Sequence, residues 1–74
     1  PFAQTAMAED RGELVAALEK LGEDQQAVLR YRFGDEFSVL EVAELMGKST
    51  GAIKALQHRA IANLRRILSM EALQ

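Results

Sequence analysis

Residues 38–60 read Ser38-Val39-Leu40-Glu41-Val42-Ala43-Glu44-Leu45-Met46-Gly47-Lys48-Ser49-Thr50-Gly51-Ala52-Ile53-Lys54-Ala55-Leu56-Gln57-His58-Arg59-Ala60. Ser38 and Glu41 have the Ser-x-x-Glu spacing of a capping box, and Val39, Val42, Ala43 and Met46 follow at helical spacing. The pattern predicts a short helix over 39–46 that Gly47 stops. Ser49 is placed to cap a second helix. Its apolar residues Ile53, Leu56, Ala60, Leu64 and Ile67 are spaced 3, 4, 4 and 3, one continuous stripe with Leu64 near its centre, so that helix covers about 50–68. Short helix, tight turn and longer helix make the layout of a helix-turn-helix. Ala43 is small enough for a close helix crossing, and Met46 and Ile53 flank the turn, where they can pack on each other. Thr50, Gly51 and Ala52 leave the N–H groups of the second helix open to a phosphate. Lys54, His58 and Arg59 lie off the apolar stripe and are free to enter a groove. An ordinary helical hairpin with a solvated outer face has the same layout, so layout alone leaves both readings open.

Two more helices precede this pair. Asp10 and Glu13 form an Asp-headed capping box, Leu14, Leu18 and Leu21 follow, and Gly22 is placed as a left-handed stop, which predicts a helix over about 10–21. A second helix runs from about Asp24 to Phe33, with Val28 and the stem of Tyr31 or Arg32 inward, and Gly34 ends it. Residues 34–37 then form a turn. No segment alternates as a strand does. The expected fold is all-α: a compact four-helix domain over 9–70 with a C-terminal helix-turn-helix, an N-terminal arm over 1–8 and a tail over 71–74. A start at Pro1 rather than Met points to a piece of a longer protein.

With 74 residues there is room for one domain and a marginal core. The absence of cysteine removes disulfides and thiolate metal sites, and a single histidine removes His-pair zinc sites. Glu41 and Glu44 resemble a carboxylate pair, but capping accounts for the first and exposure for the second. No enzymatic activity, metal or cofactor is expected. The longest apolar runs fall far short of the roughly 20 residues of a membrane span, so no membrane partner is expected.

Charge is divided along the chain. Residues 1–45 carry ten acids and four bases, whereas residues 46–74 carry Lys48, Lys54, Arg59, Arg65 and Arg66 against Glu71 alone. The acidic half is a poor polyanion binder, and the basic end can sit on DNA. Lys and Arg supply both phosphate contacts and guanine readout, so Lys54 and Arg59 are the leading candidates. Arg65 and Arg66 lie about 17 Å along the helix from Lys54, beyond a groove's reach.

Three blocks of residues then match a known family. Gln25-Gln26-Ala27-Val28-Leu29-Arg30-Tyr31-Arg32-Phe33 is one, and Phe37-Ser38 followed by Glu41-Val42-Ala43-Glu44 is the second. The third is the Gly51-Ala52-Ile53-Lys54 entry to helix four, with Arg59-Ala60 beyond it. Together they resemble region 4 of bacterial sigma factors over about residues 13–68, and most closely the extracytoplasmic-function (ECF) type. The resemblance implies that helix four contacts the promoter −35 element through Ser49, Thr50, Gly51, Lys54, Ala55, His58 and Arg59, with Ser38 and Val39 near phosphates. It also implies docking of the earlier helices on the flap of the RNA polymerase β subunit, a possible anti-sigma factor or activator on the same surface, and a place in the bacterial cytoplasm at the nucleoid. Here Ala55 and Leu56 stand where the family often has serine and arginine, and Gln57 stands where it usually has an apolar residue.

Val15, Leu29, Phe33, Phe37 and Leu40 of the acidic half exceed what one small core absorbs, and a cluster of such residues on helices one to three marks a protein-binding patch. Leu29, Phe33, Phe37 and Leu40 are the candidates, Leu40 because the Ser38 cap turns it away from the inward face of helix three. Two other readings share these features. One is the DNA-binding output domain of a two-component-type regulator, although such domains usually carry Lys-Leu where this chain has Asn63-Leu64. The other is a helical protein-interaction module, which the acidic half favours and the basic helix four does not.

Overall fold

The structure, a computed structural model, describes residues 12–72. The expected arm over 1–8 and the Asp10 cap lie outside the described residues. Four helices follow in order: α1 over 12–19, α2 over Glu23–Leu29, α3 over Val39–Met46 and α4 over Thr50–Ala72.

α1 does not end on a left-handed glycine. Gly22 is extended, at φ −64° and ψ 158°, and stands at the N-cap position of α2. The chain has already turned before it: Lys20 N–H donates to Ala17 C=O at 3.1 Å and Leu21 N–H to Leu18 C=O at 3.0 Å. These tight i→i−3 bonds close the last turn, and Gln26 Nε2 donates to the Leu21 carbonyl at 2.8 Å. No left-handed residue is needed. Glu23 and Asp24 lie in the first turn of α2, where negative charge suits the helix dipole.

α2 continues without a break into a wider π turn, Arg30–Gly34. Asp35 N–H donates to Arg30 C=O at 2.9 Å, an i→i−5 bond. Wider winding advances each residue by less than 100°, so two consecutive side chains, Tyr31 and Arg32, both turn inward and are partly buried. A regular helix would have brought in one of them. The left-handed residue of this connection is Glu36, at φ 60°, and not the glycine. A residue with a Cβ pays about 1 kcal/mol or more for that conformation.

α3 has the bounds expected from its caps. Glu41 N–H donates to Ser38 Oγ at 3.1 Å and Ser38 N–H donates to Glu41 Oε1 at 3.0 Å. The backbone bond from Ser38, then that to its side chain, hold the Glu41 carboxyl below the usual glutamate range. Gly47 is left-handed at φ 65°, with Lys48 N–H donating to Ala43 C=O at 3.0 Å and Gly47 N–H to Glu44 C=O at 3.4 Å, a Schellman stop. α4 begins under the Ser49 hydroxyl, which accepts from Ala52 N–H at 3.1 Å. It runs to Ala72, past the expected end at 68.

Val28 of α2, Val42 of α3 and Ile53 and Ala60 of α4 are fully buried, with Leu21, Leu29 and Ala43 nearly so. Ala43 and Ala60 keep the helices close. Met46, Leu56, Leu64 and Ile67 pack around this centre and are only partly buried, so the middle of the core sits at Ile53 and Ala60 rather than at Leu64.

Candidate nucleic-acid interface and partner groove

Ser49, Thr50, Gly51, Lys54, Ala55, His58 and Arg59 are all exposed on the first turns of α4. Residues 50 to 59 span about 14 Å of helix, so these side chains occupy one continuous strip. The strip lies opposite the buried Ile53 and Ala60, at the basic end of the chain. Its start is the helix terminus capped by Ser49, where the backbone N–H groups point outward. A Cβ added at Gly51 would meet only Ser49 Oγ, at 4.0 Å, so nothing inside the chain demands glycine there. Lys48, in the turn, is drawn back toward α2 by Asp24 at 3.7 Å, an exposed pair of small energetic weight.

The expected partner residues do not form one patch. Leu29 is 6% exposed and belongs to the core, because the α2 face that carries it is covered by α4. Phe37 is partly buried with its ring 6.0 Å from that of Tyr31. Phe33 is 58% exposed and Leu40 62% exposed. Phe33 opens onto a groove of about 700 Å³, to which α1 contributes Leu14, Val15 and Leu18 and α4 contributes Leu64, with Leu29 at its buried base. Leu40 lies on α3 outside this groove. α1 takes part through Val15, one of the surplus apolar residues of the acidic half, and through Leu14, which the helical period assigns to the core; Leu14 is 41% exposed and Val15 51%.

Three side-chain hydrogen bonds also had no signal in the helical periods. Arg32 Nε donates to Gln57 Oε1 at 2.9 Å while its Nη1 donates to the Phe37 carbonyl at 2.7 Å. Asn63 Nδ2 donates to Gln25 Oε1 at 3.0 Å. The signal for the first was a glutamine at a position of α4 that leans toward the core.

The family model described as Sigma-70, region 4 matches residues 17–66, which contain α2, α3, the turn and most of α4. The chain belongs to the sigma-70 region 4 family. It is 44% identical over 59 residues to the ECF RNA polymerase sigma factor BldN of Streptomyces coelicolor, covering 80% of this chain and 22% of that protein. It is 38% identical over 56 residues to the RNA polymerase sigma-E factor of Streptomyces antibioticus, covering 76% of this chain and 31% of that protein. A solved structure, the 1.8 Å structure of an RsbN–BldN complex, superposes with a TM-score of 0.76 at 39% identity over 88% of this chain and 48% of that one. The region 4 domain is thus of the ECF type, and the chain spans about a fifth to a third of the curated relatives it matches. Membership in this family sets aside the regulator output domain and the bare interaction module as readings of the helix pair. Among the described residues no helix is long and apolar enough to cross a membrane.

Proposed function

We propose that this region 4 recognises the promoter −35 element through α4 while its earlier helices dock on the β-subunit flap of RNA polymerase, in transcription initiation. The observation that carries the reading is the exposed strip from Ser49 to Arg59 on the outer face of a capped helix-turn-helix. Lys54 and Arg59 supply base and phosphate contacts, and His58 and Ala55 lie between them against the groove floor. The Gly51 backbone, with no side chain in the first turn of α4, lets a phosphate come close to the helix terminus. Ser38 and Val39, at the start of α3, lie near the flanking backbone. The unit that does this is the stretch 9–70, and it acts without catalysis.

The flap site in this reading is the apolar groove between α1, the π turn and α4, with Phe33, Leu14 and Val15 as its exposed residues. An amphipathic helix laid into such a groove buries its apolar face there. An anti-sigma factor or activator would compete for or extend the same surface. The solved relative is a complex of RsbN with BldN, which supports a protein partner for a sigma factor of this kind. The test is a pull-down of the isolated β flap with the chain and with its Phe33→Asp variant. Capture by the parent and loss in the folded variant are expected. No capture by the parent, or full capture by the variant, refutes the docking half of the reading.

A further inference from the structure

Hydrophobic contact is non-directional and scales with area. The packed stripe of α4 holds the helix on the body and limits its roll, while a small residual roll changes the buried area little. A roll of about 10° at a helix radius of 5–6 Å moves side chains sideways by about 1 Å and leaves most of the apolar area covered. Hydrogen bonds to base edges do not tolerate that displacement, since their lengths fall within a few tenths of an ångström and they weaken steeply off-axis. A directional contact can fix the roll more finely than packing alone.

Two side-chain hydrogen bonds flank the stripe. Arg32 to Gln57 is on one side and Asn63 to Gln25 on the other. At 100° per residue Gln57 and Asn63 are about 120° apart, with the stripe midway between them. Only the first bond reaches the part of α4 that carries the DNA strip, because Gln57 falls between Lys54 and His58. Arg32 is itself held at its other end by the carbonyl of Phe37, the residue before the Ser38 cap of α3. The π turn makes this possible by bringing Arg32 inward beside Tyr31. One guanidinium thus ties the entrance of α3 to the reading segment of α4.

We propose that Arg32 and Gln57 are positioning residues for DNA reading: their bond sets the roll of α4 and so the bases that Lys54, His58 and Arg59 meet. The proposal rests on the −35 reading above and adds to it residues that do not touch DNA. It predicts a change in discrimination without a matching loss of stability. Gln57→Leu fills the same partly buried position with an apolar side chain and removes the acceptor. Arg32→Met removes the donor. Gln57→Glu keeps an acceptor for Arg32.

The experiment measures holoenzyme assembled with the sigma factor containing this region. It compares binding to a −35 duplex and to the same duplex with a scrambled −35, together with the thermal midpoint of each variant. Gln57→Leu and Arg32→Met are expected to lose discrimination by about five- to tenfold, with the midpoint and the affinity for scrambled DNA near the parent's. Gln57→Glu is expected to keep the ratio while its added negative charge weakens binding to both duplexes alike. Unchanged ratios in both Gln57→Leu and Arg32→Met overturn the proposal, as does a loss of ratio and midpoint together in all three variants. Lys54→Ala separates the two ideas. If it weakens −35 binding while Gln57→Leu does nothing, only the positioning role fails; if the parent does not discriminate at all, the −35 reading fails and this proposal with it.

Discussion

Truncating Ile53 should cost this domain more than truncating Leu64, although both belong to the same stripe of α4. Ile53 is fully buried, in the first turn of α4, among Val28, Val42 and Ala43. Ile53→Ala removes three carbons from an enclosed site, so the lost transfer energy and the cavity left behind add to about 3 kcal/mol, within the range of such changes. Alanine's better helix propensity returns only a few tenths. Leu64 is partly buried and lines the open groove, so Leu64→Ala leaves no closed cavity. Only the transfer term is lost there, about 1–1.5 kcal/mol for a half-covered leucine. A domain of this size has about 4–11 kcal/mol of stability, so the first change removes a large share of it. At about 4–8 °C per kcal/mol, the thermal midpoint should fall by about 12–24 °C for Ile53→Ala and by roughly half that or less for Leu64→Ala. Circular dichroism at 222 nm during heating measures both. A loss in Leu64→Ala equal to or greater than that in Ile53→Ala would refute the placement of the core.

Glu41 is charged in its capping box and its carboxyl is held below the usual range, so its contribution is present above the ordinary glutamate value and disappears as pH falls through the lowered folded value. Ser38→Ala should cost about 1 kcal/mol near neutral pH, and Glu41→Gln should flatten the acid limb of the stability profile, both read by urea titration at several pH values. Leu29→Asp should unfold the domain, because it places a carboxylate where 6% of the residue reaches solvent, whereas Phe33→Asp should leave the far-ultraviolet spectrum and midpoint nearly unchanged. Similar spectra for the two variants would show that the boundary between core and groove is misplaced.

The helix-turn-helix was legible because its information is local. The bounds of α3 follow from Ser38, Glu41 and Gly47, and the start of α4 from Ser49, each acting within a few residues of itself. What was not legible lies partly in turns that side-chain periods do not report and partly in partners distant in sequence. Gly22 looked like a stop, yet the i→i−3 bonds of residues 17–21 had already turned the chain. The π turn answers to Phe37 and Gln57, one five residues and the other 25 residues from Arg32, and no local period signals it. A helical stripe says which face is apolar but not how completely another helix covers it, which is why Leu29 was expected at the surface and Leu64 at the centre. α4 runs past its last stripe residue because Leu68-Ser69-Met70-Glu71-Ala72 contains no breaker. On the outer face of α4 the helical phase was readable, and Lys54, His58 and Arg59 are exposed as their place off the apolar stripe predicts. The tie between Arg32 and Gln57 was not, since a single inward glutamine does not name its partner.

The central claim is that the exposed strip of α4 reads the −35 element. Its most direct test is the affinity of holoenzyme for a −35 duplex, measured over a range of salt concentrations, with Lys54→Ala and Arg59→Ala compared with the parent. Both side chains are exposed, so the fold should survive. Loss of a base contact should weaken specific binding by about 5- to 150-fold, and loss of a phosphate contact should lower the salt slope by about one unit. Parent-like affinity and salt slope in both variants, with the fold intact, would contradict the account.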